Sequence, residues 1–228
     1  MSAVAAVIGA GQGIGAACAR ALASDHLVLA GGRRQALLDD VADLIRSRGG
    51  AAVAHSVDVT DDASVADYFA RAAELGPLRL VVVSAGIGQL GPMARTTPAA
   101  FDEMLKVNAG GSYRALHHAA PQLKATRGMF VAIGSRAGSQ VFPDAIAYGA
   151  SKAALAYSVR AVSRELAADG VRVVCLSPGG VATPMRAAAF PDEDPTRIMQ
   201  PDEIGALVVE ISRLSGPNLA GVVLEYPW

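Results

Sequence analysis

Short apolar segments alternate with longer Ala-rich amphipathic segments along the whole chain, and this alternation limits the possible folds more than any other feature of the sequence. Each short segment is apolar at nearly every position, which is typical of a parallel strand covered on both faces. The seven predicted strands are residues 4–8, 27–30, 51–57, 80–83, 129–133, 171–176 and 222–225. Seven strands with helices between them predict an α/β protein with a doubly wound, seven-stranded parallel sheet and helices on both faces.

Two predicted helices have recognisable start signals. Thr60, which two aspartates follow, is a candidate N-cap for a helix that runs to about Leu75. Thr97 directly precedes Pro98, the residue type favoured at a first helical position. Since no linker, repeat or low-complexity block interrupts the 228 residues, we expect one domain over residues 1–228.

The composition argues against several classes of protein. Twenty basic and 21 acidic residues leave a formal charge of −1, so the chain has no basic field for nucleic acid or anionic lipid. No apolar stretch approaches the ~20 residues of a membrane-spanning helix, and the N-terminus lacks the positive charges of a signal peptide. Cys18 and Cys175 lie in apolar surroundings, which predicts buried thiols without a disulfide or metal cluster. We therefore expect a soluble, cytoplasmic protein that holds no metal.

A glycine-rich loop follows the first predicted strand directly, and an Ala-rich helix follows the loop. The loop reads Gly9, Ala10, Gly11, Gln12, Gly13, Ile14 and Gly15. Glycines there permit a tight turn and let backbone N–H groups approach a pyrophosphate at the helix N-terminus. This placement predicts a dinucleotide-binding Rossmann fold; the alternative is a glycine turn that binds no ligand.

The end of the second strand indicates which dinucleotide would bind. An NAD site requires a carboxylate near this point for the adenosine ribose, but the sequence has Arg33 and Arg34 after two glycines. Two arginines suit a 2′-phosphate and favour NADP(H) over NAD(H), unless they only open a solvated helix. The missing carboxylate also weakens a reading as an S-adenosylmethionine methyltransferase. Asp58, which Val59 follows after strand three, either accepts a hydrogen bond from the adenine amino group or only starts the next helix.

Tyr148 and Lys152 form the candidate catalytic pair. A spacing of four puts them on one face of a predicted helix, and a nearby cation favours the ionised form of a phenol. Ser135 follows strand five and can donate to a substrate carbonyl oxygen, while Asn108 can hold a water that links Lys152 to solvent. Taken singly, Ser135 and Asn108 could equally be structural polar residues.

Taken together, these motifs resemble the short-chain dehydrogenase/reductase family over nearly the whole chain. The family's Thr-Gly-x-x-x-Gly-x-Gly loop corresponds to Gly9, Gly13 and Gly15, and its Asn-Ser-Tyr-Lys tetrad to Asn108, Ser135, Tyr148 and Lys152. The resemblance implies that Tyr148 is the general acid or base, that Lys152 also binds the nicotinamide ribose, and that Ser135 positions the substrate oxygen. The remaining cofactor-binding residues that it implies are Gly11, Gln12, Ile14, Asp58, Val59, Ala85, Gly86, Pro178, Gly179, Val181 and Thr183.

The sequence departs from the family pattern in three places. Ile8 stands where the family usually has threonine, and Ser84 falls in the Val-Ser-Ala-Gly segment that replaces Asn-Asn-Ala-Gly after strand four. Both are hydrogen-bonding positions, so these departures concern local rigidity more than chemistry. The third departure is the tail, residues 219–228, which lacks the common Asp-Gly-Gly ending.

The segment 183–200 is the predicted lid over the substrate. Its first half is apolar, with Met185 and Phe190, whereas the acidic residues 192–194 are expected to be solvated. Gln140 and Phe142 are further candidates for lining the substrate site, as are Leu90 and Met93. These residues favour an apolar or mixed ketone over a phosphorylated sugar.

The leading functional hypothesis is an NADP(H)-dependent oxidoreductase that reduces a ketone to an alcohol, or catalyses the reverse reaction. The alternative is a non-catalytic NADP(H)-binding or regulatory protein on the same fold. The expected partner is a small carbonyl or alcohol substrate, with no nucleic acid and no membrane. By resemblance alone, the protein is expected to form a homodimer or homotetramer.

Overall fold

The computed structural model describes residues 2–214, 221 and 223–226, and these residues contain a seven-stranded, all-parallel sheet. The strands are β1 (Val4–Ile8), β2 (Leu27–Gly32), β3 (Ala51–Ser56), β4 (Leu78–Val83), β5 (Met129–Ile133), β6 (Arg172–Pro178) and β7 (Val223–Tyr226). Their order across the sheet is β3-β2-β1-β4-β5-β6-β7, with every pair parallel. The predicted doubly wound sheet is thereby confirmed.

Helices cover both faces of this sheet. They are α1 (Gly13–Leu22), α2 (Gln35–Ser47), α3 (Asp62–Leu75), α4 (Pro98–Met104), α5 (Gly111–Thr126), α6 (Ile146–Leu166), α7 (Pro184–Ala189) and α8 (Pro201–Arg213). Alternate residues of a strand face opposite sides, so β1 contributes to two cores. Ala5 and Val7 pack in the core beneath α1, α2 and α8, whereas Val4, Ala6 and Ile8 pack beneath α3, α5 and α6.

The strand and helix ends differ from the predicted ends by small amounts. The N-cap of α3 is Asp61 rather than Thr60, since the Asp61 carboxylate accepts from Ala63 N–H at 3.1 Å. Thr97 caps α4 as predicted, accepting from Ala100 N–H at 3.2 Å. Strand β7 ends one residue later than the predicted end, and residues 215–220, 222, 227 and 228, which include half of the tail, lie outside the described residues.

Both cysteines are free and fully buried, as predicted. Burial raises the pKa of the Cys18 thiol to about 12, and it also raises the pKa of the Cys175 thiol. No helix among the described residues is long and apolar enough to cross a membrane.

Tyr68 fixes the close packing of α3 against β2. Its buried hydroxyl donates to the Leu29 carbonyl at 2.7 Å, and its ring fills the space that a side chain at Gly31 would need. A Cβ at Gly31 would lie 2.5 Å from Tyr68 Cε2, whereas a Cβ at Gly32 would make only a 3.4 Å contact with Leu38 Cδ2.

We therefore expect Gly31→Ala to lower the free energy of unfolding by about 1–3 kcal/mol, because a buried ring that is also hydrogen-bonded cannot move aside freely. Urea denaturation followed by far-UV circular dichroism measures the change. Gly32→Ala is the matched control and should cost clearly less. Equal losses in the two variants would contradict this account of the packing.

The sheet reverses its strand order between β1 and β4. These two strands lie side by side in the sheet, although β2 and β3 lie between them in the sequence. The loops after β1 and β4 therefore diverge to opposite faces and leave a crevice between them. Ligands of open α/β sheets bind in such a crevice, outside the carboxyl ends of the strands.

Candidate active site

A cavity of about 360 Å³ occupies this crevice, and we call it the main cavity. It brings together twenty of the residues predicted to bind the cofactor, to act in catalysis or to form the lid. These are Gly9, Gly11, Gln12, Gly13, Ile14, Arg33, Arg34, Asp58, Val59, Ala85, Gly86, Ser135, Tyr148, Lys152, Pro178, Gly179, Val181, Thr183, Met185 and Phe190. Five predicted residues do not line it, namely Gly15, Met93, Asn108, Gln140 and Phe142.

The glycine loop leaves open space in the cavity because several of its positions have no room for a side chain. Gly9 and Gly13 have φ angles of 90° and 55°, a region that favours glycine, and a Cβ at Gly9 would lie 2.5 Å from Ala85 N. A Cβ at Gly15 would overlap the Gly9 carbonyl, so Gly15 serves the packing of α1 on the loop rather than the cavity wall. The Gln12 side chain makes no capping hydrogen bond to α1, which leaves the first N–H groups of the helix for an anion.

The far end of the main cavity is positively charged. Arg33 and Arg34 are exposed and line the cavity, and their side chains have no hydrogen bond or ion pair to any other described residue. The Asp58 carboxylate accepts from the backbone N–H and the hydroxyl of Thr60, both at 2.9 Å. These hydrogen bonds, with the positive charges of Arg33 and Lys106, hold the pKa of Asp58 below its usual value. The loop, the arginines and this carboxylate together fit a dinucleotide cofactor.

Helix α6 places Tyr148 and Lys152 at the opposite end of the main cavity. Lys152 is buried, its Nζ lies 5.8 Å from the centroid of the Tyr148 ring, and it donates to the Ile133 carbonyl at 2.8 Å. Ser135 follows β5 and its Oγ accepts from Ala137 N–H at 3.2 Å, so its own hydroxyl hydrogen remains free to donate. The arrangement can therefore hold and protonate an oxygen atom.

Asn108 lies behind the cavity wall, in a π-helical turn (Leu105–Gly110) between α4 and α5. Its side chain bonds the backbone of Ile87 twice, accepting from the N–H at 2.8 Å and donating to the carbonyl at 2.9 Å. It also donates to Ser151 Oγ at 2.9 Å, and Ser151 in turn donates to the Tyr148 carbonyl at 2.7 Å. The side chain thus ties the loop after β4 to the helix that carries Tyr148, and the water-holding role stays a prediction.

The predicted lid closes the main cavity near Tyr148. Its two ends lie side by side, because Val181 and Met199 form a parallel β-bridge. Thr183 caps α7 by accepting from Arg186 N–H at 3.2 Å. A Cβ at Gly88 would lie 3.0 Å from Met185 Sδ and 3.6 Å from Tyr148 Cε2, so the lid and the phenol pack on the same backbone.

The substrate end of the cavity differs in part from the sequence-based expectation. Gln140 and Phe142 are exposed on the surface segment after β5 instead of lining the cavity, and Met93 is also exposed. Leu90 does line the cavity, beside the two predicted lid residues.

Ser151 and Arg186 are among the residues of the site that sequence reasoning missed. Ser151 carried a usable signal, since it lies three residues after Tyr148 on the same helix and can therefore bond its carbonyl. Arg186, which lines the cavity, carried none, because its side-chain partner Glu193 belongs to an acidic segment expected to be solvated.

Proteins of similar sequence and structure are dehydrogenases and reductases. The family model for short chain dehydrogenases matches residues 3–194. Glycine betaine reductase ATRR of Emericella nidulans is 37% identical over 184 residues, which make up 79% of this chain but only 14% of that protein. Cis-4-hydroxycyclohexanecarboxylate dehydrogenase of Sinomonas cyclohexanicum is 32% identical, over 97% of this chain and 93% of its own. An alcohol dehydrogenase from the archaeon Thermococcus sibiricus, solved with 5-hydroxy-NADP, superposes with a TM-score of 0.89 at 29% identity, covering 99% of this chain and 95% of that one.

Proposed function

The chain belongs to the short-chain dehydrogenase family, and on that premise we propose that it is an NADP(H)-dependent oxidoreductase that reduces a ketone or other carbonyl to an alcohol, or catalyses the reverse reaction. One observation carries the proposal: Tyr148, Lys152 and Ser135 line the same cavity as the glycine loop and the two arginines. A dinucleotide held by the loop would therefore share a cavity with an acid–base group.

The cofactor is held by residues from four strand ends in this proposal. The glycine loop binds the pyrophosphate through backbone N–H groups, and Arg33 and Arg34 bind the 2′-phosphate. Asp58 accepts from the adenine amino group, and Thr183 binds the nicotinamide carboxamide. NADP(H) is preferred because no described carboxylate at the end of β2 is available for a free ribose 2′-hydroxyl. When bound, reduced nicotinamide supplies the hydride that a carbonyl carbon accepts.

Residues of the chain bind the substrate oxygen and transfer the proton. Ser135 donates a hydrogen bond to the substrate oxygen, where negative charge develops during reduction. Tyr148 donates its phenolic proton to that oxygen, and the buried ammonium of Lys152 stabilises the phenolate that remains. In alcohol oxidation the same phenolate accepts the proton. Asn108 and Ser151 position α6 relative to the loop after β4.

A panel of aliphatic, cyclic and polyketide-like ketones tests this function, with NADPH and NADH compared by loss of absorbance at the nicotinamide band. NADPH binding is measured in parallel by fluorescence titration. We expect turnover of at least one apolar or mixed ketone with NADPH. NADPH binding without turnover of any ketone, or of the corresponding alcohols with NADP⁺, would favour the non-catalytic alternative.

We also propose that one domain, residues 1–228, serves both cofactor binding and catalysis, because the main cavity takes residues from Ile8 to Phe190. A homodimer or homotetramer is proposed from the family resemblance. A cytoplasmic location is proposed from the two buried, free thiols, which suit a reducing compartment.

A further inference from the structure

Arg186 stands between two cavities. It lines the main cavity, and it also lines a second cavity of about 340 Å³, whose lining residues all fall within the segment 182–198 and which we call the rear cavity. Glu193 lines the rear cavity and not the main one. The positive partner of this ion pair therefore lines the cavity that contains Tyr148, while the negative partner does not.

The ion pair fixes the guanidinium in one orientation. Arg186 Nε and Nη2 donate to the two carboxylate oxygens of Glu193 at 2.7 and 2.6 Å, a bidentate arrangement, and the Phe190 ring lies 3.7 Å from Arg186 Cζ. Both side chains are only about one-third exposed or less, at 32% and 27%. The hydrogen bonds from Arg186 keep the pKa of Glu193 below its usual value, so the carboxylate is charged at neutral pH.

The remaining edge of Arg186 has no partner among the described residues. Glu193 occupies the Nε–Nη2 side, and no described residue accepts from Nη1. An arginine offers five N–H donors, so this pair leaves donors free while its net charge is zero. The neighbouring residue, Met185, and Tyr148 both approach Gly88, and Arg186 lines the same cavity as the catalytic phenol.

We propose that Glu193 is a specificity-determining residue: by neutralising Arg186 in the wall of the main cavity, it adapts the lid to uncharged carbonyl substrates and disfavours carboxylated ones. This inference depends on the proposed function, since it names the substrate class of the same site. With Glu193 in place, a substrate carboxylate meets a guanidinium that already has a carboxylate partner. Without the Glu193 charge, the same guanidinium becomes a free carboxylate receptor.

The test compares binding of two dead-end ligands, cyclohexanecarboxylate and its neutral amide, to the NADPH complex by isothermal titration calorimetry. In Glu193→Gln, which keeps the side-chain shape and removes the charge, we expect carboxylate affinity to rise about 10-fold relative to amide affinity, as for one partly screened charge-assisted contact. Asp192→Asn is the matched control, because Asp192 is exposed, adjacent and makes no hydrogen bond to another described residue. It removes the same charge and should leave the ratio unchanged. Adding Arg186→Gln to Glu193→Gln should cancel the gain.

Turnover of 4-oxocyclohexanecarboxylate and its amide gives a second readout, for which we expect kcat/KM to shift toward the acid in Glu193→Gln. An unchanged affinity ratio in a folded Glu193→Gln protein would overturn the inference, as would an equal gain in Asp192→Asn. A lower KM for NADPH in Glu193→Gln, with an unchanged ratio of carboxylate to amide affinity, would show that the Arg186–Glu193 pair acts on the cofactor. This result would also overturn the inference. Because the binding readout needs no turnover, these outcomes are distinct from the failure of the ketone panel.

Discussion

Replacing Tyr148 by phenylalanine is expected to lower kcat by about 10³-fold or more, near the upper range for removal of a general acid–base group. The variant loses only the phenolic oxygen, so in the proposed mechanism no side chain remains to protonate the substrate oxygen. The phenyl ring still packs at Gly88, and the Lys152 ammonium keeps its bond to the Ile133 carbonyl. NADPH affinity should therefore change by no more than about 3-fold, since no cofactor contact of the loop is touched.

Steady-state kinetics on a ketone found by the panel measure kcat, and fluorescence titration measures NADPH affinity. Tyr157→Phe is the matched control, because Tyr157 lies on the same helix, is 70% exposed and stands outside the main cavity. It makes the same chemical change and should retain full activity. A Tyr148→Phe enzyme as active as the unmodified protein would remove Tyr148 from the mechanism.

Replacing both Arg33 and Arg34 by alanine is expected to raise the KM for NADPH about 10- to 100-fold, while the KM for NADH changes by no more than about 3-fold. The difference arises because only NADPH carries the 2′-phosphate that two charged donors would bind. Since the side chains are exposed, salt should weaken the discrimination of the unmodified enzyme, and the variant should show less salt dependence.

Initial rates with each nucleotide at two ionic strengths measure this effect. Arg48→Ala is the control, because Arg48 is an exposed arginine that follows the last residue of α2, far along the helix from the cavity. An equal rise in KM for both nucleotides would show that the arginines support the loop in general and do not recognise the phosphate.

The strands could be predicted because both faces of the sheet are buried. In β1 every residue is fully buried, so an uninterrupted apolar run was the expected pattern. At β4, one polar residue explains the difference between the predicted and the observed start. Strand β4 begins at Leu78, whereas its predicted start was residue 80, because Arg79 interrupts the apolar run in the sequence. In the structure, Arg79 belongs to the strand and its side chain donates to the Thr126 carbonyl at 2.7 Å.

The candidate site could be predicted where local spacing determines position, and not where tertiary contacts do. Tyr148 and Lys152 share a helix face, which the four-residue spacing required. The contacts of Asn108 depend on a π-helical turn, for which the sequence gives no signal. The contacts of Glu193 depend on the fold of the lid, which brings it next to Arg186. The composition of the acidic segment 192–194 does not show whether Glu193 is solvated or paired with Arg186.

The π-helical turn at Leu105–Gly110 lets the Asn108 amide point toward Ile87 while α5 keeps its apolar side on the core. Each residue added to or removed from a helix rotates everything beyond it by about 100°, so a single deletion here would swing either the amide of Asn108 or the core-facing stripe of α5 out of alignment. The number of residues in this stretch therefore constrains the structure independently of which side chains it carries. Anyone who shortens or grafts this region must preserve the residue count between Pro98 and Thr126, even where the side chains themselves can be exchanged.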